Sequence, residues 1–227
     1  MALQFQLPGG ALHNMAVLNI PVFGAATVRS FLEGLQANIP DAATGKPDPE
    51  KQKAYFASHP DAKPLVDWLS AHNPPPSFAD SAYNSLHAFK FIDAKGQEHW
   101  VKWRFEPRDG LKFLSDAEVA AAPEDFLAAR WNERLRQGPV VWDMIVSLGE
   151  KGDPIDNPSV AWPATRKEVK VGVLSLDKSG GDACDEINFD PNLVSSGVEP
   201  SPEDKILAFR SLAYGVSAGR RLEEKHP

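Results

Sequence analysis

Between Phe89 and Pro107 the chain reads Phe-Lys-Phe-Ile-Asp-Ala-Lys-Gly-Gln-Glu-His-Trp-Val-Lys-Trp-Arg-Phe-Glu-Pro, with apolar residues recurring at nearly every second position around an Asp-Ala-Lys-Gly turn. A period of two on both sides of a glycine turn predicts an antiparallel hairpin, its first strand starting at Tyr83. Residues 1–8 alternate in the same way up to Pro8-Gly-Gly, and a second strand over 15–23 makes them a hairpin; segments 139–148 and 168–176 add two more strands. A strand that begins at residue 2 leaves an edge that needs a partner. Between the strands, helical spacing predicts helices over 27–38, 50–58 and 62–72, and a helical region from Ser115 or Asp116, with Glu118 helping the cap, to about residue 137. The pattern is α+β with an antiparallel sheet.

A chain of 227 residues with 42% apolar and 24% charged residues is most simply one domain with a substantial core. A net charge of −7 and the lack of large basic runs argue against a nucleic-acid or anionic-membrane partner. No apolar run approaches the ~20 residues that span a bilayer. The one cysteine, Cys184, excludes an internal disulfide and a multi-cysteine metal site.

Near the carboxyl end, Ser201-Pro-Glu-Asp opens a predicted helix: Ser201 is placed to cap, Pro202 fits the first turn, and two acids meet the positive end of the dipole. At about 100° per residue, Arg210, Tyr214, Ser217 and Arg221 share one sector of that helix. A guanidinium one turn before a phenol can hydrogen-bond its oxygen and favour the anionic form, and a tyrosinate is a hard ligand suited to ferric iron. Spacing alone favours ordinary surface packing for such a pair.

Arg210-Ser-Leu-Ala-Tyr214 followed by Arg220-Arg221-Leu222 resembles the proximal-helix signature of the haem catalases. Phe189-Asp-Pro-Asn-Leu193 and Ser201-Pro202 are similar to the elements that precede that helix. Leu18-Asn-Ile-Pro-Val-Phe23, the hairpin from Tyr83, Gly110-Leu-Lys-Phe-Leu114 and Asp156-Asn-Pro with Trp162-Pro163 resemble further catalase segments, all in family order. Gly215, Ala218 and Gly219 stand where catalases carry a proline and histidines, which turns the resemblance toward the small catalase-related peroxidases.

The resemblance implies a partial catalase-type β-barrel lacking its opening strands, with surrounding helices and a C-terminal haem-ligand helix, one domain over 1–227. It implies haem b as cofactor, with Tyr214 as axial iron ligand, Arg210 as its activator and Arg221 as a propionate partner. Phe31 matches a phenylalanine on the distal haem face, although as a residue it reads equally as a core aromatic of the 27–38 helix. His87 matches a family histidine near the haem entrance; taken alone it reads as a satisfied barrel histidine. In the gap-free register the family's distal asparagine falls on Leu18, and Asn19 is the adjacent candidate.

The implied function is peroxidase chemistry on hydrogen peroxide or organic hydroperoxides with small organic electron donors, by a monomer or homodimer; the sequence leaves periplasm and cytoplasm both open. The family's distal histidine lies N-terminal to its match with Met1, so the expected domain lacks that segment. The alternative is a non-catalytic β-barrel that binds haem or another hydrophobic ligand.

Overall fold

The computed structural model describes residues 1–225. Its elements run β1 (Ala2–Gln6), β2 (Leu12–Ala16), α1 (Val28–Ala37), α2 (Pro49–Ser58), α3 (Lys63–Ala71), β3 (Tyr83–Asn84), β4 (Phe89–Ile92), β5 (Glu98–Pro107), α4 (Asp116–Ala121), α5 (Phe126–Arg136), β6 (Val140–Leu148), β7 (Glu168–Leu176), β8 (Val198–Pro200) and α6 (Lys205–Lys225).

The predicted hairpin organises the larger sheet. Asp93 Oδ1 accepts the N–H groups of Lys95 (2.8 Å) and Gln97 (2.9 Å), and Gly96 takes the positive φ the turn requires. Alternation along β5 then sends Val101, Trp103 and Phe105 inward, and Lys102, Arg104 and Glu106 outward. The antiparallel sheet runs β7-β6-β5-β4-β8, with β3 also on β5. Val140, Trp142 and Val146 of β6 bring their side chains to the same core as Phe89, Tyr83 and Leu207. The indole N–H of Trp142 donates to Ser81 O (3.1 Å) and the Tyr83 hydroxyl to Phe78 O (2.9 Å), so the buried polar atoms of both rings are satisfied.

The β1–β2 hairpin forms a separate ladder, Ala2 opposite Ala16 and Gln6 opposite Leu12, and packs Met1, Leu3 and Phe5 against that core. Its second strand ends at Ala16, short of the expected reach to residue 23. Pro21 has no N–H to give, and only Leu18 pairs onward, with Asn84. No ladder joins β1 to β7 among the described residues, and β7 is paired on one edge only. A closed barrel is therefore not formed: the strands make an antiparallel sheet and a hairpin over one core.

Other expectations shift for local reasons. Pro123 divides the region after Ser115 into α4 and α5, while the capping box of Ser115 with Glu118 forms as read. Three residues, Val198–Pro200, pair with β4 and hold Ser201 at the end of the sheet, so α6 starts at Lys205 and not at the Ser-Pro step. Asp204 caps it instead, its Oδ1 accepting the Leu207 N–H at 2.9 Å.

Trp142→Ala should cost about 3–5 kcal/mol of folding stability, as expected for emptying an aromatic site in a close-packed core. Val169→Ala, on the exposed face of β7, should stay within about 0.5 kcal/mol. Urea unfolding midpoints measure both; equal losses would mean that the core does not lie where the sheet places it.

Candidate functional site

The strand expected to run unbroken from Tyr83 is interrupted at residues 85–88. Leu86 adopts φ 61°, a left-handed conformation that costs a branched residue about 1–3 kcal/mol. The Ser85 N–H donates to Trp103 O (2.9 Å), and its hydroxyl accepts the Trp103 N–H (3.1 Å) and reaches His87 O (3.1 Å). This loop turns His87 inward. Its Nδ1 meets Asp204 Oδ2 at 2.6 Å, with both side chains only 1% exposed. His87 is thus a buried histidine tied to the start of α6. Nε2 of the same ring has no hydrogen-bond partner among the described residues.

From that anchor α6 carries the predicted pair. Arg210 and Tyr214 are half-buried, and Nη2 of Arg210 donates to the Tyr214 hydroxyl at 2.6 Å, its guanidinium 5.2 Å from the ring centroid. A second anchor comes from the segment before the helix: Asn192 Nδ2 donates to Leu207 O (2.7 Å) and Ser211 Oγ (2.9 Å), and Ser211 donates to Asp190 Oδ1 (3.0 Å). Two turns past Tyr214, the exposed Arg221 donates to Ile187 O at 3.2 Å. Side chains added at Gly215 and Gly219 would meet no atom within 4 Å, so open space flanks Tyr214.

Phe31 is 40% exposed on α1, with its ring 5.0 Å from that of Phe23, and Phe23 lies 6.3 Å from the His87 ring. It is not the core aromatic of its helix. The structure therefore brings Phe31, His87, Arg210 and Tyr214 to one side of the fold, where α1 meets α6. Asn19 stands apart. It is exposed and lines a cavity of about 970 Å³ among Trp68, Phe113, Trp131 and Trp142, which touches none of the other candidates.

Asp204 is the residue the sequence reading missed in this cluster: it was counted only as an acid at the positive end of a helix. Burial holds the His87 imidazole below its ordinary range, opposed by Asp204 and reinforced by the positive fields of Arg210 and Lys102.

The catalase family model matches residues 1–226. The chain belongs to the catalase family. It is 47% identical to the catalase-related peroxidase of Synechococcus elongatus over 224 residues, covering 97% of this chain and 66% of that relative. The catalase-related peroxidase of Mycolicibacterium paratuberculosis is 31% identical over 230 residues, with 97% of this chain and 70% of the relative covered. A solved bacterial catalase superposes with a TM-score of 0.85 at 23% identity, over 97% of this chain and 45% of its own. Catalase A of Saccharomyces cerevisiae gives 0.84 at 17%, with 48% of its chain covered. The chain thus carries the catalase fold over about two thirds of the length of the peroxidase relatives and under half that of the solved catalases. The family resemblance read from the motifs is borne out.

A neutral, buried His87 ties stability to pH in a definite direction. As pH falls through about 6.5 the unfolded chain takes up a proton that the folded imidazole refuses, so stability is complete above that value and is lost as pH drops toward the folded pKa. Between about pH 7.5 and about pH 5.5 the urea midpoint should fall, and His87→Gln should flatten that slope while lowering stability overall. An unchanged slope in the variant would assign the pH dependence to another group.

Proposed function

We propose that this catalase-family chain is the haem-binding core of a peroxidase, and that Tyr214 is its axial ligand to iron. The observation that carries this reading is the 2.6 Å hydrogen bond from Arg210 to the Tyr214 hydroxyl, on a helix held in place by the His87–Asp204 pair. A charged donor stabilises negative charge on the oxygen it faces, and a hard anionic oxygen suits ferric iron. Kinship with two proteins described as catalase-related peroxidases supports the same reading.

Gly215 and Gly219 leave space beside the tyrosine for a flat group, and Arg221, in the same sector of α6 as Tyr214, is an exposed cation for a propionate. When bound, haem supplies an iron centre that a hydroperoxide can oxidise by two electrons, which small organic donors return. In this reading Tyr214 holds the iron, Arg210 keeps its oxygen charged, His87 and Asp204 set the height of the helix, and Phe31 contributes an aromatic wall. Asn19 remains a candidate for the peroxide side.

One observation favours the second reading, a haem- or hydrophobic-ligand binder without turnover. Every described histidine is engaged away from Tyr214: His13 accepts the Ser195 N–H (3.1 Å), His59 pairs with Glu33 (2.9 Å), His72 bonds Trp68 O (2.8 Å), His87 bonds Asp204, and His99 sits in β5 opposite Phe91.

Reconstitution with haem b separates the readings. The chain should bind haem with the absorption of a tyrosinate-ligated ferric centre and oxidise a dye on addition of peroxide; Tyr214→Phe should lose that signature, and Arg210→Leu should keep haem but lower dye oxidation by about 100-fold, the scale of removing one positioned charge. Binding with a spectrum indifferent to peroxide supports the binder, and absence of haem binding refutes both.

A further inference from the structure

On the outward face of β5, Lys102 lines a pocket of about 180 Å³ together with Pro21, Leu86, Ala161 and Trp162. Its charged neighbours are already matched. Arg104 is paired with Glu106 and Glu168, and Arg166 with Glu150 and Asp153. Elsewhere Lys63, Lys90, Lys112 and Lys170 each lie within 3.0 Å of a carboxylate oxygen. Lys102 has no such partner among the described residues. Its Nζ donates to the carbonyl of Val160 at 3.2 Å and sits 5.3 Å from the Trp162 ring centroid.

Trp162 is a fixed wall for that pocket. Its indole N–H donates to Pro154 O at 2.8 Å, and it packs so closely over Gly149 that an added Cβ there would meet the ring at 2.8 Å. Burial drives the Lys102 ammonium down to about 8, against the attraction of Asp204 and Asp153, the two carboxylates that reach it. His87, also within its field, is held neutral. Near neutral pH this leaves about two orders of magnitude more free amine than an ordinary lysine offers.

We propose that Lys102 is a carbonyl-trapping site whose ε-amine condenses with a small uncharged aldehyde seated against Trp162. The amine lone pair forms the C–N bond while the carbonyl π pair moves to oxygen. That oxygen collects one proton from the nitrogen and one from solvent and leaves as water, and loss of the second N–H proton to solvent gives the neutral imine. No electron is gained or lost. The apolar wall of Pro21, Leu86 and Trp162 suits an uncharged aldehyde, and Arg104 and Arg166, the other cations of the pocket, are already paired with carboxylates and offer no free charge to an anionic one. Neither Tyr214 nor a bound haem takes part.

The test is reductive trapping of the intact chain with benzaldehyde and cyanoborohydride, followed by peptide mapping across a range of pH, with anionic glyoxylate in parallel. Benzaldehyde should label Lys102 at least about tenfold faster than Lys63 or Lys170, with its rate half-maximal near pH 8, and glyoxylate should show no such preference. Labelling of Lys102 no faster than the ion-paired lysines would overturn the site. Equal preference with glyoxylate would overturn the assignment to uncharged aldehydes.

Discussion

The arrangement depends on one buried hydrogen bond, His87 to Asp204, between residues 117 apart in sequence. Burying either group alone would cost several kcal/mol, and removing one partner leaves the other stranded where solvent does not reach. Asp204 divides its two oxygens between two tasks: Oδ2 holds the loop that enters β4, and Oδ1 caps α6. Sheet and helix are thereby locked at a point. At 1.5 Å per residue, that point fixes Tyr214 about 15 Å further along the helix axis.

The helix changes character along its length. Ile206 and Leu207 are buried in its first turn, whereas Leu212 is 67% and Val216 58% exposed. Anchoring at one end and apolar exposure at the other is what a ligand-bearing helix needs: the first part sets position and the second presents a surface that something else must cover. The strained Leu86 belongs to the same design, since the left-handed residue is what points His87 inward where an unbroken strand would alternate past it.

What could be read from the sequence was whatever carried a period. Trp103 and Phe105 on alternating positions located the central hairpin, and Arg210 and Tyr214 one turn apart located the phenol and its donor. What escaped was aperiodic. Three residues at 198–200 are too few to show alternation, yet their pairing with β4 displaced the helix start from Ser201 to Lys205 and made Asp204, not Ser201, the cap. Leu86 gave no warning either, because left-handed backbone is normally signalled by glycine or asparagine. The partial barrel was carried over from the family resemblance; how far its strands close rests on pairing between strands far apart in the chain, which no local pattern encodes, and among the described residues β7 and β1 do not pair.

The outward face of β5 shows how charge is distributed when acids are contested. Arg104 presents a planar fork, and Glu168 accepts from both of its terminal nitrogens, at 2.5 and 2.8 Å, while Glu106 takes the Nε–H at 2.8 Å. Arg166 engages both oxygens of Asp153 in the same way. A guanidinium satisfies a carboxylate with two parallel hydrogen bonds and is less strongly hydrated than an ammonium, so it wins the acid where the two compete at a partly buried site. Lys102, two residues before Arg104 on the same face, is left with a carbonyl and an indole. An ammonium there gives up water without gaining an anion, so burial lowers its hold on the proton.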